Sequence, residues 1–178
     1  TIEEACQALK DGGEDARIIA GGQTLVPLMA MRLARPTLLI DINDVEELVG
    51  IRIDDGHVVV KARTRQADTL TSEVVKKELP LLAEGLSHVG HTQTRNRGTV
   101  GGSLVNADPS AEIPLIAQTL EATIIVESTR GRRAIEACDF FESAMATTLM
   151  PDECLIEVCF PINCVENSGF GFHEVSIR

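Results

Sequence analysis

The fold is decided by the stretch RIIAGGQTL at residues 17–25. Its apolar first half predicts a strand, which the two glycines end. Leucine and methionine over 25–33 predict a helix that Pro36 stops, and the apolar run 37–42 predicts a second strand. Strand, turn, helix and strand in this order form a βαβ unit, so we expect the two strands to be parallel.

The remainder of the chain changes to alternating strands and helices. An Asp-Asp-Gly turn at 54–56 separates two β-like runs and predicts a hairpin of 51–53 with 57–62. Residues 90–109 are glycine-rich and polar and are predicted to form a long loop. The remaining predicted helices cover 1–10, 64–77, 81–88, 111–120 and a turn at 137–141, and the remaining strands cover 122–127, 133–135, 155–160 and 169–177.

These elements predict an α+β protein of two lobes. The first is a βαβ lobe with α/β character at residues 1–45, and the second is a larger α+β lobe at 46–165. Thr1-Ile2-Glu3-Glu4 has the pattern of a helix start, and the last three residues lie within a strand-like run. We therefore expect a fragment of a longer chain.

Composition limits the possible partners. The net charge of −11 disfavours nucleic acid and acidic membrane surfaces, because both would be repelled. No apolar run reaches the roughly 18 residues of a membrane span, and no signal-peptide pattern opens the chain. The five cysteines are odd in number and contain no C-x-x-C, so we expect reduced thiols, no metal site and a cytoplasmic location.

The first glycine loop comprises residues 20–25 and joins a predicted strand to a predicted helix. Glycine allows the backbone to approach a ligand closely, and the helix that follows turns its free amides toward the same point. Such a place suits a phosphate, and Thr24 adds a hydroxyl donor. The loop also fits a plain strand-to-helix turn, and it matches neither the Rossmann fingerprint nor the P-loop.

The second glycine segment comprises residues 96–109, with the sequence NRGTVGGSLVNADP. Three glycines and several small polar side chains are more than a turn requires, and long ordered loops tend to be functional. If the two motifs face each other across a cleft, they fit an extended dinucleotide with its phosphates on backbone amides. Either Asp108 or Glu112 could then accept hydrogen bonds from ribityl or ribose hydroxyls. The spacing does not say which dinucleotide is bound.

Both motifs resemble those of the FAD-binding medium subunits of molybdenum hydroxylases, a family with carbon monoxide dehydrogenase and bacterial xanthine, quinoline and nicotine dehydrogenases as members. The similar stretches are AGGQTLVPL at 20–28, LIDI at 39–42, LPLLAE at 79–84, RNRGTVGGSL at 95–104 and ADPSAE at 107–112. The resemblance spans essentially the whole chain, and the two glycine motifs together are specific to it.

The resemblance implies a two-lobed FAD-binding domain of the vanillyl-alcohol-oxidase or PCMH type, with FAD bound non-covalently between the lobes. It also implies a third, C-terminal domain, of which residues 166–178 would be the truncated start. The pyrophosphate would lie along the backbone of the first motif, at Ile19, Ala20, Gly21, Gly22, Gln23, Thr24, Leu25 and Val26.

Further FAD contacts are implied in the second lobe. Thr99, Gly102 and Ser103 would meet the pyrophosphate from the other side, with Val89 and Gly90 nearby. The positions implied for the remainder of the cofactor are Asn106, Ala111 and Glu112 at the ribityl and phosphate region, Leu155 beside the isoalloxazine ring, and His173 where some relatives have a flavin-contacting lysine.

The resemblance further implies a heterotrimer in which this chain transfers electrons. A large subunit would carry molybdopterin and oxidise the substrate, and a small subunit would pass electrons from two [2Fe–2S] clusters to FAD. FAD would then reduce an external acceptor. Because His57, His88, His91 and His173 are isolated in the sequence, we expect no catalytic acid or base in this chain.

Three alternatives stay open at this point. A stand-alone flavin oxidoreductase of the same fold would need a substrate domain and often a covalent flavin link. A non-enzymatic nucleotide-binding or assembly module would have lost the flavin, which the two intact glycine motifs disfavour. A generic nucleotide-binding domain would bind NAD or ATP and show no yellow colour.

Overall fold

The N-terminal part forms the predicted βαβ unit. The computed structural model describes residues 1–162 and 169–175. Helix α1 (Ile2–Gly12) is followed by β1 (Ala16–Ile19), α2 (Leu25–Ala30) and β2 (Leu38–Asp41). Strands β1 and β2 pair in parallel and form a two-stranded sheet of their own, which confirms the prediction. Helix α2 ends earlier than predicted, because Arg32 adopts a positive φ of 60°.

The remaining elements alternate between antiparallel strands and short helices. In chain order they are β3 (Ile51–Asp54), β4 (His57–Lys61), α3 (Gln66–Thr71), α4 (Glu73–Glu78), α5 (Pro80–His88), α6 (Thr92–Arg97), α7 (Val100–Asn106), α8 (Glu112–Thr119), β5 (Thr123–Ser128), β6 (Gly131–Glu136), α9 (Ala137–Phe140), β7 (Phe141–Ser143), β8 (Ala146–Thr147) and β9 (Cys154–Pro161). The β7–β8 hairpin was not predicted from the sequence.

The main sheet has five strands in the order β3-β4-β9-β5-β6. All neighbouring strands are antiparallel, and β9 lies between the two hairpins. The turn between β3 and β4 has positive φ at Asp55 (42°) and Gly56 (75°), as a tight hairpin connection requires. The hairpin prediction is therefore confirmed.

The predicted helix over 64–77 is divided in two. Ser72 has an extended backbone (φ −63°, ψ 124°), and its hydroxyl accepts a hydrogen bond from the Val75 amide at 3.4 Å. Serine competes with helical hydrogen bonding in this way and is a preferred N-cap. The chain therefore stops α3 and starts α4 at Ser72.

The prediction of a long loop over 90–109 is wrong, because this stretch contains α6 and α7. Thr99 caps α7 by accepting from the Gly102 amide at 3.1 Å, and Val100 and Leu104 are buried on one helix face. Gly101 lies so close to Ala62 that an added Cβ would come within 2.8 Å of it. Capping and packing thus outweigh the low helix propensity of the two glycines.

One continuous apolar cluster connects the N-terminal unit with the main sheet. Ile2, Cys6 and Leu9 of α1 belong to the same cluster as Val126 and Phe160 of the sheet. The predicted boundary near residue 45 stays a prediction. No helix within the described part of the chain is long and apolar enough to cross a membrane.

The segment 169–175 lies against α5. Phe172 approaches the ring of His88 with 5.0 Å between ring centroids, and an added Cβ at Gly85 would lie 3.5 Å from Phe172. The prediction of a strand over 169–177 is wrong for 169–175, which has no regular secondary structure. The remaining two residues of that prediction lie outside the described residues.

Candidate functional site

The two glycine motifs are in direct contact at Gly21. A Cβ added at Gly21 would collide with the carbonyl oxygen of Arg97 and would lie 2.9 Å from the Cα of Gly98. We had expected the motifs to face each other across a cleft, but here the two backbones touch. Glycine is required at this position because any side chain would push the two motifs apart.

The first glycine loop carries a run of unused hydrogen-bond donors. Within residues 1–162 and 169–175, the backbone amides of Gly21, Gly22, Gln23 and Thr24 donate to no protein acceptor. Gly22 has a positive φ of 68°, and its carbonyl accepts from the Val26 amide at 3.1 Å, which starts the turn into α2. Consecutive free amides in such a turn form a concave site that attracts an anion.

The second glycine segment has mostly used its amides. The amide of Gly101 donates to Ala62 at 2.9 Å, that of Gly102 to the Thr99 hydroxyl at 3.1 Å, and that of Ser103 to the Thr99 carbonyl at 3.1 Å. Gly102 is exposed, and an added Cβ there would approach only the side chain of Thr99. The second segment is therefore a rigid stretch of backbone, and its residues Arg97 and Gly98 contact the first loop at Gly21.

Two residues that the sequence analysis missed connect the motifs. The Arg65 guanidinium donates to the Arg97 carbonyl through Nη1 and to Asn43 Oδ1 at 2.8 Å through Nη2. Asn43 Nδ2 in turn donates to the carbonyl of Ala20 at 2.9 Å. The available signal was the place of Asn43, directly after the second predicted strand and therefore at its carboxyl end.

The predicted ribityl region lies at the junction of α7 and α8. Asp108 Oδ1 accepts from both the amide and the hydroxyl of Ser110, at 2.9 and 2.7 Å, so this oxygen is used within a local turn. Glu112 is half-buried at the start of α8, and burial raises the pKa of its carboxyl. The nearby carboxylate of Glu174 adds to this effect. Asn106 precedes Asp108 by two residues, and Ala111 directly precedes Glu112.

Leu155 and His173 occupy very different environments. Leu155 is only 4% exposed and belongs to the apolar core, so little of its surface is accessible to a ligand in this structure. His173 is exposed, next to Glu174, whose Oε2 lies 3.3 Å from Nδ1 of His88 at the end of α5. Val89 and Gly90 directly follow α5, and Gly90 has a positive φ of 42°.

Within residues 1–162 and 169–175, no group of three or more His, Cys, Asp or Glu side chains could hold a metal ion. The free backbone amides of the first loop lie next to Arg97, whose carbonyl also accepts from the Arg65 guanidinium.

Fold and site together define a mixed α and β protein with a glycine loop whose consecutive amides find no acceptor in the described part of the chain. Residues 1–163 match the family described as the FAD binding domain in molybdopterin dehydrogenase. The chain therefore belongs to this family of FAD-binding domains, which confirms the resemblance.

Individual relatives agree with this assignment. The 6-hydroxypseudooxynicotine dehydrogenase complex subunit alpha of Paenarthrobacter nicotinovorans is 42% identical over 178 residues, covering 100% of this chain and 60% of that protein. A structure of carbon monoxide dehydrogenase from Hydrogenophaga pseudoflava, which lacks the Mo-pyranopterin moiety of its cofactor, superposes with a TM-score of 0.96. The two sequences are 36% identical, and the match covers 100% of this chain and 62% of that chain.

Quinoline 2-oxidoreductase from Pseudomonas putida 86 is a further structural relative. Its TM-score is 0.88 at 42% identity, over 92% of this chain and 58% of that chain. The present chain thus spans about three fifths of the length of the curated relatives it matches, 60% and 62% for the first two.

Proposed function

We propose that this chain binds FAD non-covalently, with the pyrophosphate on the first glycine loop, as the flavoprotein part of a molybdenum hydroxylase. The observation that carries the proposal is the run of four amides at Gly21–Thr24 that find no acceptor in the described part of the chain, next to the backbone of Arg97 and Gly98. A pyrophosphate offers several anionic acceptor oxygens close together, which matches several donors pointing at one place. The fold we propose for the complete domain is the PCMH type.

The residues of both motifs fit this cofactor. Gly22 has the positive φ that opens the turn, and Gly102 of the second segment is exposed. Arg63 and Arg97 lie close enough to Arg65 to lower its pKa, with Asp68 and Asp41 opposing them, in a chain whose net charge is −11. This local excess of positive charge favours a dianion at the place where the two motifs touch.

The other predicted contacts stay proposals. We propose that Val26, Thr99 and Ser103 line the pyrophosphate, and that Glu112 accepts from ribityl or ribose hydroxyls with its half-buried carboxylate. Leu155 and His173 are proposed neighbours of the isoalloxazine ring, although Leu155 offers little free surface. Each of these roles rests on the resemblance.

The proposed work of the bound flavin is electron transfer. FAD supplies the redox chemistry when bound, and the protein holds and orients it. We propose that an iron–sulfur small subunit delivers the electrons and that a molybdopterin large subunit oxidises the substrate, as parts of a heterotrimer. In support, one relative is named a subunit of a dehydrogenase complex and another a medium chain. The cytoplasmic location stays a prediction from cysteine content.

The test is to purify the complete polypeptide and record its visible spectrum before and after adding FAD. We expect a flavin absorption band and quenching of flavin fluorescence, both lost in Gly22→Val. Gly56→Val is the matched control, because Gly56 also has a positive φ (75°) but lies in the β3–β4 turn. A complete polypeptide that binds NAD or ATP and no flavin would contradict the proposal.

A further inference from the structure

We propose that Arg65 is a positioning residue for the flavin site, which acts through Asn43 to hold the first glycine loop at a fixed distance from the second glycine segment. This inference rests on the proposed FAD binding and adds a determinant of affinity that lies in neither glycine motif. The two side chains will be called the Arg65–Asn43 brace.

The brace joins the two motifs by three hydrogen bonds in series. Arg65 donates to the carbonyl of Arg97, in the second segment, and also to Oδ1 of Asn43 at 2.8 Å. Asn43 completes the link through Nδ2, which donates to the carbonyl of Ala20 at 2.9 Å, in the first loop. The planar guanidinium can serve two acceptors at once in a fixed geometry, which an ammonium group cannot.

The Arg65 end of the brace is anchored by the backbone. Arg65 lies opposite Thr99 in a short antiparallel bridge. On either side of it, the Gln66 amide donates to the carbonyl of Gly98 at 2.9 Å, and the Val100 amide donates to the carbonyl of Thr64 at 3.1 Å. The position of Arg65 relative to the second segment is therefore set before its side chain makes any contact.

The Asn43 end is anchored by Asp41, the last residue of β2. Asp41 Oδ1 accepts from both the backbone amide and the side-chain amide of Asn43, at 2.9 and 2.7 Å. These hydrogen bonds from Asn43 also lower the pKa of Asp41. The Asn43 side chain is thus oriented with its oxygen toward Arg65 and one amide hydrogen toward Ala20.

Steric contact and brace have complementary effects on the spacing. The contact of Gly21 with Arg97 and Gly98 sets how closely the motifs approach. The brace is the attractive side-chain link between them in the described residues, since no other hydrogen bond there bridges 20–25 and 96–109 through a side chain. Without the brace, the free amides of the first loop could move away from the second glycine segment. A pyrophosphate could then not contact both motifs at once.

A role for the positive charge of Arg65 alone would not explain its partly buried position between the two motifs. Burial lowers the pKa of Arg65, and the nearby Arg63 and Arg97 lower it further, while Asp68 and Asp41 oppose them. A residue needed only for its positive charge could lie at the surface, where desolvation costs less. Replacement by lysine separates the two roles, because lysine keeps the charge but cannot hold both acceptors in one plane.

The test is a double-mutant cycle on FAD affinity in the complete polypeptide, with Arg65→Lys and Asn43→Asp. Asn43→Asp still accepts from Arg65 but can donate neither to Ala20 nor to Asp41, so it cuts the link to the first loop together with the side-chain anchor on Asp41. We expect each change to raise the Kd for FAD about tenfold, the value of roughly one charge-assisted hydrogen bond. Because both act through one link, the double variant should be no more than about threefold weaker than either single variant.

The matched control is Arg130→Lys, which makes the same chemical change in an arginine of the β5–β6 turn that pairs with Asp152. It should leave the Kd for FAD unchanged, and the unfolding midpoint of each apoprotein shows whether affinity changes merely follow stability. The inference is overturned if Arg65→Lys binds FAD as the unchanged protein does, or if the two effects multiply in the double variant. Failure of the unchanged protein and of Arg130→Lys to bind any FAD would instead refute the proposed function.

Discussion

The first glycine loop and the second glycine segment have similar compositions but use their backbones differently. In the first, four consecutive amides at Gly21–Thr24 have no protein acceptor within the described part of the chain. In the second, the amides of 100–103 are engaged by Thr64, Ala62, the Thr99 side chain and the Thr99 carbonyl. The two motifs are therefore similar in glycine content but differ in the number of backbone amides that are free to bind a ligand.

This difference assigns different tasks to the two motifs. Free amides lose no internal hydrogen bond when they bind an anion, so the first loop is suited to hold the phosphates. Amides that are already hydrogen-bonded within the protein make the second segment rigid. The second segment is therefore suited to limit how far the ligand can extend. Variants in the first loop should therefore change mainly FAD affinity, and variants in the second mainly stability.

The largest effect on the Kd for FAD is expected for Gly21→Ala, which disrupts the contact between the two motifs. The new Cβ collides with the Arg97 carbonyl, so the loops must separate. We expect the Kd for FAD to rise at least a hundredfold, because about two charge-assisted hydrogen bonds are lost. Titration of flavin fluorescence measures it. Gly169→Ala is the control, since an added Cβ there meets nothing within 4 Å; a change of similar size in both would contradict the assignment.

Gly22→Ala tests the conformation of the first loop alone. Alanine at φ 68° costs about 1 kcal/mol, and its Cβ would lie 3.0 Å from Val26. We expect about a tenfold rise in the Kd for FAD. Gly56→Ala imposes a comparable backbone strain at φ 75° in the β3–β4 turn and should lower stability alone. If Gly56→Ala weakened FAD binding equally, the first loop would not be the phosphate site.

Thr99→Val tests the structural role of the second segment. The change removes the N-cap oxygen of α7 with little change in side-chain volume, at a buried position. We expect the free energy of unfolding to fall by about 1 kcal/mol, and the Kd for FAD to change less than in Gly22→Ala. Denaturant unfolding gives the first quantity, and Thr99→Ser, which keeps the oxygen, should restore it. A loss of affinity beyond that of Gly22→Ala would reverse the two assignments.

Glu112→Gln is expected to have the smallest effect on stability. Glu112 lies three residues after the end of the second segment, so this variant extends the comparison to the chain that follows it. Burial raises the pKa of Glu112, so its folded value exceeds the unfolded one. The raised pKa means that Glu112 contributes to the free energy of unfolding while its carboxyl is protonated. This contribution is present in full below the unfolded pKa and is lost as the pH rises through the folded pKa. We therefore expect the glutamine variant to gain up to about 0.5 kcal/mol near pH 7 and nothing near pH 4.

The measurement for Glu112→Gln is the unfolding midpoint at both pH values. A gain of equal size at about pH 4 and about pH 7 would show that the titration of Glu112 is not its cause. Glu73→Gln serves as the control, because its side chain is 87% exposed on α4.

Local signals in the sequence were sufficient for the βαβ unit and the β3–β4 hairpin. Gly21-Gly22 and Pro36 divide the first 45 residues clearly, and the turn at Asp55-Gly56 fixes the β3–β4 hairpin. The helix α7 was missed because Gly101 and Gly102 argue locally against a helix. Its formation depends on Ala62, far away in the chain, and the sequence pattern does not show such a neighbour.

The site was predicted at the level of motifs but not of hydrogen bonds. Both glycine motifs could be identified from composition and position, and their assignment to one ligand stays a prediction. Two of the four engaged amides of residues 100–103 donate to Ala62 and Thr64, which lie outside both motifs. The Arg65–Asn43 contact joins residues 22 positions apart that share no periodic pattern, so only the folded chain reveals it.

The order of strands in the main sheet also bears on how the chain is made in the cell. Strand β9 (Cys154–Pro161) is the last of the five to be synthesised, yet it occupies the centre and pairs with β4 and β5. Until it leaves the ribosome, both hairpins expose an unpaired edge and apolar residues such as Val58 and Val126. We expect nascent chains to require chaperone protection up to this point and the sheet to form in one late step.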